Sequence, residues 1–331
     1  MYLGNPTWQS LSPGLPQYIP INNREEAAIV DIMPLLGQWY RVYVEGAGTN
    51  FFRFDDAVSK QNYFIKRINK EDYQRNNAAN NIARWLDEQG VPTNYASKII
   101  KQDKASYFFI YPLNEGQRVP ADLNSMAKLG SSLATLHTTL KQLPKQDEII
   151  NKTNWRIELL EEVRKKLVNG HYQFGPNSDF VHKLAKKIHH PFLEDNCIQP
   201  LHGDLNYGNI LYHNHAIMYL DFEDTLHSFL PTIFEIGYVL ERFLFTKVSD
   251  KNKLLSLGKA FMKAYLSNNG QYIYHEHHAK VLPLLALRSF CVLTLCELEG
   301  KTIDKNEWLK FEYLAELGFK TALLFDEIIR T

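Results

Sequence analysis

Three side chains set the chemical question: Asp204, Asn209 and Asp221. Asp204 stands in His202-Gly203-Asp204-Leu205-Asn206-Tyr207-Gly208-Asn209-Ile210-Leu211, and Asp221 in Tyr219-Leu220-Asp221-Phe222-Glu223. A carboxylate in a glycine-containing loop can orient an alcohol and take its proton. An amide oxygen and a second carboxylate are hard donors that suit magnesium. His202 is best placed to buttress the loop.

The segments around these residues explain how they meet. Asn209 to Tyr212 and Ile217 to Asp221 are β-like, with a turn at Asn214-His215. That hairpin pairs 212 with 217, 211 with 218 and 209 with 220. Asn209 then lies opposite Leu220, one residue from Asp221, and the two donors come within reach of one ion. The H-x-D-x-x-x-x-N spacing, an apolar hairpin and Asp-Phe together match the logic of phosphoryl transfer, with Gly203 in place of arginine.

Upstream, the pattern predicts a small sheet. Residues 1–22 are rich in Pro, Gly, Ser and Asn and read as an irregular lead-in. Arg24 to Met33 has helical character. Tyr40, Val42 and Val44 alternate with more polar neighbours, a strand signal. Phe51 to Phe54 and Asn62 to Lys66 follow after short turns, giving an antiparallel meander. In the turn Glu45 to Asn50, Gly46 and Gly48 let backbone amides approach an anion, although a plain β-turn has the same look. Lys66 is a cation at the end of a strand. Asp72 to Gln89 reads as a helix stopped by Gly90. Lys98 to Ile100 and Ser106 to Tyr111 are two more strands, and Pro112 to Gly116 a break.

The rest is helical. Met126, Leu129, Leu133, Leu136 and Leu140 recur at helical steps, and residues 154–168, 179–190 and 231–331 read as further helices. His137 suits packing or capping. His189-His190 and His275-Glu276-His277-His278 do not make a metal site, since Ala279 breaks the H-E-x-x-H spacing. The domains expected are 1–112, a nucleotide-binding lobe, and 113–331, a helical lobe holding the 202–209 loop and Asp221.

Composition narrows the class. The chain has 331 residues, with 45% hydrophobic and 22% charged, enough for two domains and a large core. Lys+Arg and Asp+Glu are both 37, which argues against a nucleic-acid binder. The three cysteines, Cys197, Cys291 and Cys296, make no C-x-x-C pair and suit reduced thiols and a cytoplasmic protein. Neither a signal peptide nor a transmembrane helix is expected, so no membrane partner is either.

His-Gly-Asp-Leu-x-x-x-Asn-Ile-Leu followed by Leu-Asp-Phe-Glu resembles the aminoglycoside phosphotransferase and choline kinase superfamily. These are small-molecule kinases with the protein-kinase-like fold. The likeness extends to Leu129 to His137, to Phe64-Ile65-Lys66 and to the turn Gly46 to Asn50, so it covers most of residues 37–245. It implies an α+β, bilobal fold with a small antiparallel-sheet N-lobe, one main helix there, and a larger, mainly helical C-lobe. It implies ATP and Mg2+ as cofactors. Asp204 would be the catalytic base, and Asn209 and Asp221 the metal ligands. Lys66 would hold the α/β-phosphates, and Gly46, Gly48, Thr49 and Asn50 would cover them. Tyr111 to Leu113 would meet the adenine through backbone groups.

Two departures stand out. The helix after the lysine lacks the family's glutamate: Asn76 to Asn81 contains no acid, and Glu71 comes earlier. Glu235-Ile236-Gly237 replaces the family's Asp-Leu-Ala, with Glu235 as a structural stand-in.

The expected function is ATP-dependent phosphorylation of a hydroxyl on a small molecule. A nucleotide-binding pseudokinase is the alternative that the missing helix glutamate motivates. A two-metal hydrolase would need further His/Asp ligands that the sequence lacks. The fourteen-residue interval from Asp221 to Glu235 is short for an activation segment, which favours a small diffusing substrate over a peptide. Glu223, Asp224, Glu241, Glu297 and Glu299 would suit a cationic acceptor, an amino alcohol or amino sugar, if they face the cleft.

Overall fold

Alternation of side chains along the early strands builds a sheet with two different faces. The computed structural model describes residues 16–21, 37–43, 50–102, 104–170, 177–188, 197–213 and 216–331. Strands β1 (Gln17–Pro20), β2 (Gly37–Tyr43), β3 (Phe51–Asp56), β4 (Asn62–Asn69), β5 (Lys98–Lys101) and β6 (Ser106–Pro112) form one antiparallel sheet in the order β1-β2-β3-β4-β6-β5. Trp39, Phe52, Phe54, Ile65, Phe108 and Ile110 pack as one buried cluster. The period of two turns their neighbours to the opposite face. Ile68, Ala96 and Phe109 are buried there, against Tyr73 and Tyr111. Phe51 pairs with Lys66 and Lys66 with Phe109, so the lysine shares this second face. Tyr73 opens helix α1 (Tyr73–Glu88) and stacks on Tyr107 with ring centroids 4.1 Å apart.

The lead-in expectation for 1–22 fails at Gln17–Pro20, which pairs with Tyr40 to Tyr43 as an edge strand. All four of its residues are exposed, so no buried face imprints a period on that stretch. The helix expected at 24–33, the 45–49 turn, Gly175-Pro176, His189-His190 and the Asn214-His215 turn lie outside the described residues.

Helices α2 (Leu123–Leu140), α3 (Gln146–Val168), α4 (Ser178–Lys187), α5 (Thr232–Leu240), α6 (Lys251–Ser267), α7 (Val281–Leu298) and α8 (Lys305–Ile329) follow. Two short ladders accompany them: β7 (Ile198–Pro200) with β10 (Phe229–Pro231), and β8 (Ile210–His213) with β9 (Ala216–Tyr219). The Asp122 carboxylate caps α2 by accepting the Ser125 N–H at 2.9 Å. Met126, Leu129, Leu133, Leu136 and Leu140 are all fully buried. Gly130 lets α2 approach α6 closely, since a Cβ there would sit 2.2 Å from the Phe261 carbonyl oxygen. Helix α3 starts eight residues before the expected 154, because Asp147 and Glu148 in its first turn favour the helix N-terminus where Asn151 and Asn154 are weak formers. Among the described residues, Glu276–Leu298 is the one segment long and apolar enough to cross a membrane, and half of it is buried inside the protein. The three cysteines form no disulfide.

The chain divides into two compact units. One is Gln9–Arg118 with Tyr207–Glu223, and the other includes Val119–Asn206 with Asp224–Thr331. The hairpin belongs to the sheet-bearing unit for a backbone reason. Gln117 and Tyr212 exchange hydrogen bonds at 2.9 and 2.8 Å, Tyr219 N donates to Pro92 O, and Asn94 N to Tyr219 O.

Candidate active site

In the sheet-bearing unit, the hairpin has the register that the sequence count gives. Ile210 pairs with Tyr219, Leu211 with Met218 and Tyr212 with Ile217. The Leu220 N–H donates to the Asn209 carbonyl at 2.9 Å. Asn209 is thereby fixed beside Asp221. Asp221 itself has φ +59°, a left-handed conformation uncommon for residues other than glycine.

A cavity of about 350 Å³ opens beside this hairpin, within the same unit. Its aromatic part is Phe51, Phe64 and Tyr111. Phe51 and Phe64 stack at 5.6 Å with 22° between their planes, and Phe64 meets Tyr111 at 6.2 Å. Such π-faces are a platform for a flat heterocycle. Its polar part is Lys66, Asn209, Asp221 and Glu223, with Asn76 and Asn80 from α1. Burial, then the Asp221 and Glu223 charges, push the Tyr111 phenol upward, so it stays protonated.

The acid missing from α1 is supplied elsewhere. Lys66 Nζ is ion-paired and hydrogen-bonded to Glu223 Oε1, and Arg75 Nε lies 3.2 Å from Glu223 Oε2. Glu71 is not the partner. One carboxylate, two residues past Asp221, thus ties strand β4, helix α1 and the hairpin's end together. On α1, Asn80 stands where the acid was sought. Its Oδ1 accepts the Ala96 N–H at 2.6 Å, and its Nδ2 is buried with no hydrogen-bond partner among the described residues.

In the helical unit, Asp204 follows a turn built around Glu235. Glu235 Oε1 accepts the Gly203 N–H at 2.6 Å and Oε2 the His202 N–H at 3.2 Å. His137 Nε2 lies 2.9 Å from Oε2, and its Nδ1 lies 2.8 Å from the Tyr265 hydroxyl. Burial pushes the Glu235 carboxyl up, but the His137 hydrogen bond, the His137 and His202 charges and the Gly203 N–H outweigh it and hold it below its ordinary value. Gly203 has φ +89°, and a Cβ there would lie 2.3 Å from Ser228 Oγ. His137, His202 and Glu235 are all buried around this turn. The Asp204 side chain accepts hydrogen bonds from the Tyr238 hydroxyl, to Oδ1 at 2.7 Å, and from Asn206 Nδ2, to Oδ2 at 2.9 Å.

Of the residues singled out by sequence, Lys66, Tyr111, Asn209 and Asp221 line one cavity. Leu113 does not line it, and its N–H is committed to the Asn62 carbonyl at 2.8 Å within the sheet. Asn50 does not line it either; its carbonyl accepts the Arg67 N–H at 2.8 Å. Gly46, Gly48 and Thr49 lie outside the described residues. The acids considered for a cationic acceptor are mostly engaged. Glu223 holds Lys66, Asp224 lies 2.9 Å from His227 Nε2, Glu299 holds Lys301 at 2.7 Å, and Glu241 lies 3.5 Å from Arg242 Nε. Among the described residues no cluster of His, Cys, Asp and Glu could hold a metal by itself. Asn209 and Asp221 carry hard oxygen donors of the kind that suit magnesium. Sequence reasoning missed Glu223 as the lysine's partner and Tyr238; the Asp-x-Glu spacing was the one available signal for the first.

Against known proteins, the phosphotransferase enzyme family (APH) matches residues 40–268. The solved structure of amicoumacin kinase hAmiN with AMP-PNP, Ca2+ and Ami is 19% identical, with a TM-score of 0.57, over 83% of this chain and 87% of that one. Spectinomycin phosphotransferase APH(9)-Ia with ADP and spectinomycin is 16% identical, with a TM-score of 0.54 over 91% and 99%. The GDP complex of wild-type aminoglycoside 2'-phosphotransferase-IIIa is 14% identical, with a TM-score of 0.59 over 91% and 99%. At these identities the likeness is one of fold, the kinase-like architecture of an antiparallel-sheet lobe and a mostly helical lobe. No curated protein sequence matches the chain.

Proposed function

The chain belongs to the phosphotransferase enzyme family, and we propose that it carries the γ-phosphoryl group of ATP to a hydroxyl of a small molecule. One observation carries this reading: Lys66, Asn209, Asp221 and an aromatic platform line a single cavity, with the lysine held by Glu223. The aromatic part suits the nucleobase, and the cationic and amide groups suit the phosphates. Lys66 is positioned to meet phosphate oxygens. Asn209 and Asp221 would hold magnesium, which when bound would offset phosphate charge.

Asp204 is the proton acceptor in this proposal. Its loop is braced through Glu235, and its carboxylate is oriented by hydrogen bonds before any substrate arrives. Catalysis would then rest on positioning and charge, as phosphoryl transfer requires. The acid absent in α1 favours a catalytically silent alternative, whereas the pairing of Lys66 with Glu223 supports the active reading. The internal pairing of the acidic residues gives no particular support to a cationic acceptor, so the acceptor class proposed is a small-molecule alcohol.

The test is ADP release with Mg2+ and ATP over a panel of amino alcohols, aminoglycosides, sugars and nucleosides. Turnover with at least one acceptor is expected. Asp204→Asn should lower it by about 10²–10⁴-fold while AMP-PNP binding measured by calorimetry is retained. Tight ATP binding without turnover on any acceptor would overturn the proposal, and near-normal turnover by Asp204→Asn would overturn the base.

A further inference from the structure

We propose that Tyr238 is the positioning residue of the proton-accepting carboxylate, fixing the rotamer of Asp204 from helix α5. The inference rests on Asp204 as the base.

The geometry has two parts on one helix. Glu235 and Tyr238 are three residues apart, so they share a face of α5. Glu235 takes the backbone N–H groups of His202 and Gly203. Tyr238, one turn on, donates its hydroxyl to Asp204 Oδ1 at 2.7 Å. The same face therefore grips the main chain just before the base and the side chain of the base itself. An aspartate has two rotatable side-chain torsions, and a single short donor to one oxygen removes most of that freedom.

The tyrosine is in turn held. The Arg242 guanidinium lies 4.8 Å from the centroid of its ring, a cation–π contact, and Arg242 is itself buried. Burial, then the nearby Asp204 charge, push the phenol well above its ordinary value. Tyr238 is thus a hydroxyl, and a donor, throughout the neutral range. A carboxylate offers about four lone-pair sites. Tyr238 on Oδ1 and Asn206 on Oδ2 orient the carboxylate from both of its oxygens. In the proposed transfer the alcohol's proton moves to this carboxylate as the alcohol oxygen bonds to phosphorus and the bond to the ADP oxygen breaks. Directly after Tyr238 the helix changes character, with a π-helical turn at Glu241–Phe245; such turns are frequent at functional sites.

Tyr238→Phe keeps the ring, its packing and the cation–π contact, and removes only the hydroxyl. With Mg2+–ATP and an acceptor from the panel above, kcat should fall about 10–100-fold, the cost typical of a misplaced reacting group. The KM for ATP should stay within about twofold, because the hydroxyl removed serves the Asp204 carboxylate. A tyrosine with a purely packing role would not produce this split between kcat and KM. A second readout needs no turnover. With 13Cζ-labelled tyrosine, the Tyr238 titration followed by NMR should move to lower pH in Asp204→Asn. Wild-type turnover with Tyr238→Phe within twofold of it overturns this proposal alone, as does an unmoved tyrosine titration. Absence of turnover in the wild type overturns the phosphotransferase proposal, and the role of Tyr238 falls with it.

Discussion

Lys66 on strand β4 is ion-paired with Glu223, two residues beyond Asp221. The partner of the lysine is thus carried by the segment that also carries a metal-ligand candidate. Glu223→Gln keeps the shape and removes the charge. The expected result is a rise in the KM for ATP of about tenfold, the worth of one well-placed charged contact, with a smaller change in kcat. Steady-state ADP release checks it, and an unchanged KM would mean that Glu223 does not orient the lysine.

The metal assignment is tested through cation dependence. Asn209→Ala removes one hard oxygen donor, and Asp221→Asn exchanges a charged donor for a neutral one. Both variants should need more Mg2+ for half-maximal turnover than the wild type, Asp221→Asn the more so because it loses a charge. EDTA should abolish turnover in all three, and excess Mg2+ should restore it to the wild type. A Mg2+ titration indifferent to Asp221→Asn would exclude that residue as a ligand.

Gly203 carries a structural prediction. Its φ of +89° and the 2.3 Å approach of a hypothetical Cβ to Ser228 Oγ combine backbone strain with overpacking. Gly203→Ala should lower unfolding stability by about 2–4 kcal/mol, read from denaturant midpoints by circular dichroism. A loss under about 0.5 kcal/mol would show that the turn relaxes.

Glu241 gives a pH prediction with a definite sign. Burial raises its carboxyl from 4.5 to about 7, against the lowering effect of Arg242. Between those two values the folded chain keeps a proton that the unfolded chain has lost. Stability from this group is therefore present below pH 4.5 and falls as pH rises towards 7. Glu241→Gln cannot ionise. Its stability relative to the wild type should grow from pH 5 to pH 8 by on the order of 1–3 kcal/mol, measured as the difference between urea unfolding curves. A constant difference would show that Glu241 is not desolvated as described.

Much of this molecule is legible in its sequence where a period or a count applies. The alternation at Tyr40 and Val42, with the β-like runs Phe51 to Phe54, Asn62 to Lys66 and Ser106 to Tyr111, gives the sheet, and the Met126 to Leu140 repeat gives α2. Counting outwards from the Asn214-His215 turn gives the register that sets Asn209 opposite Leu220. What escaped the sequence is what has no local signature. Lys66 and Glu223 are 157 positions apart, and a search for the acid along α1 follows neighbouring residues while the pairing is tertiary. Tyr238 sits in a helix whose residues are mostly apolar and mostly buried, where one tyrosine is indistinguishable from a packing residue. Strands β7 and β10 are three residues each, too short to show alternation. Gln17–Pro20 buries no face at all.

The assignment of Tyr207–Glu223 to the sheet-bearing unit has a consequence for anyone who cuts or shuffles this gene. The polypeptide passes from one unit to the other after Arg118, after Asn206 and after Glu223. A fragment ending near residue 118 would keep Lys66, Phe51, Phe64 and Tyr111 but lose Asn209, Asp221 and Glu223, leaving its lysine without a counter-charge. Exchange of nucleotide preference between relatives by recombination therefore needs two grafted segments, the early sheet and the seventeen-residue hairpin, moved together as one inheritance.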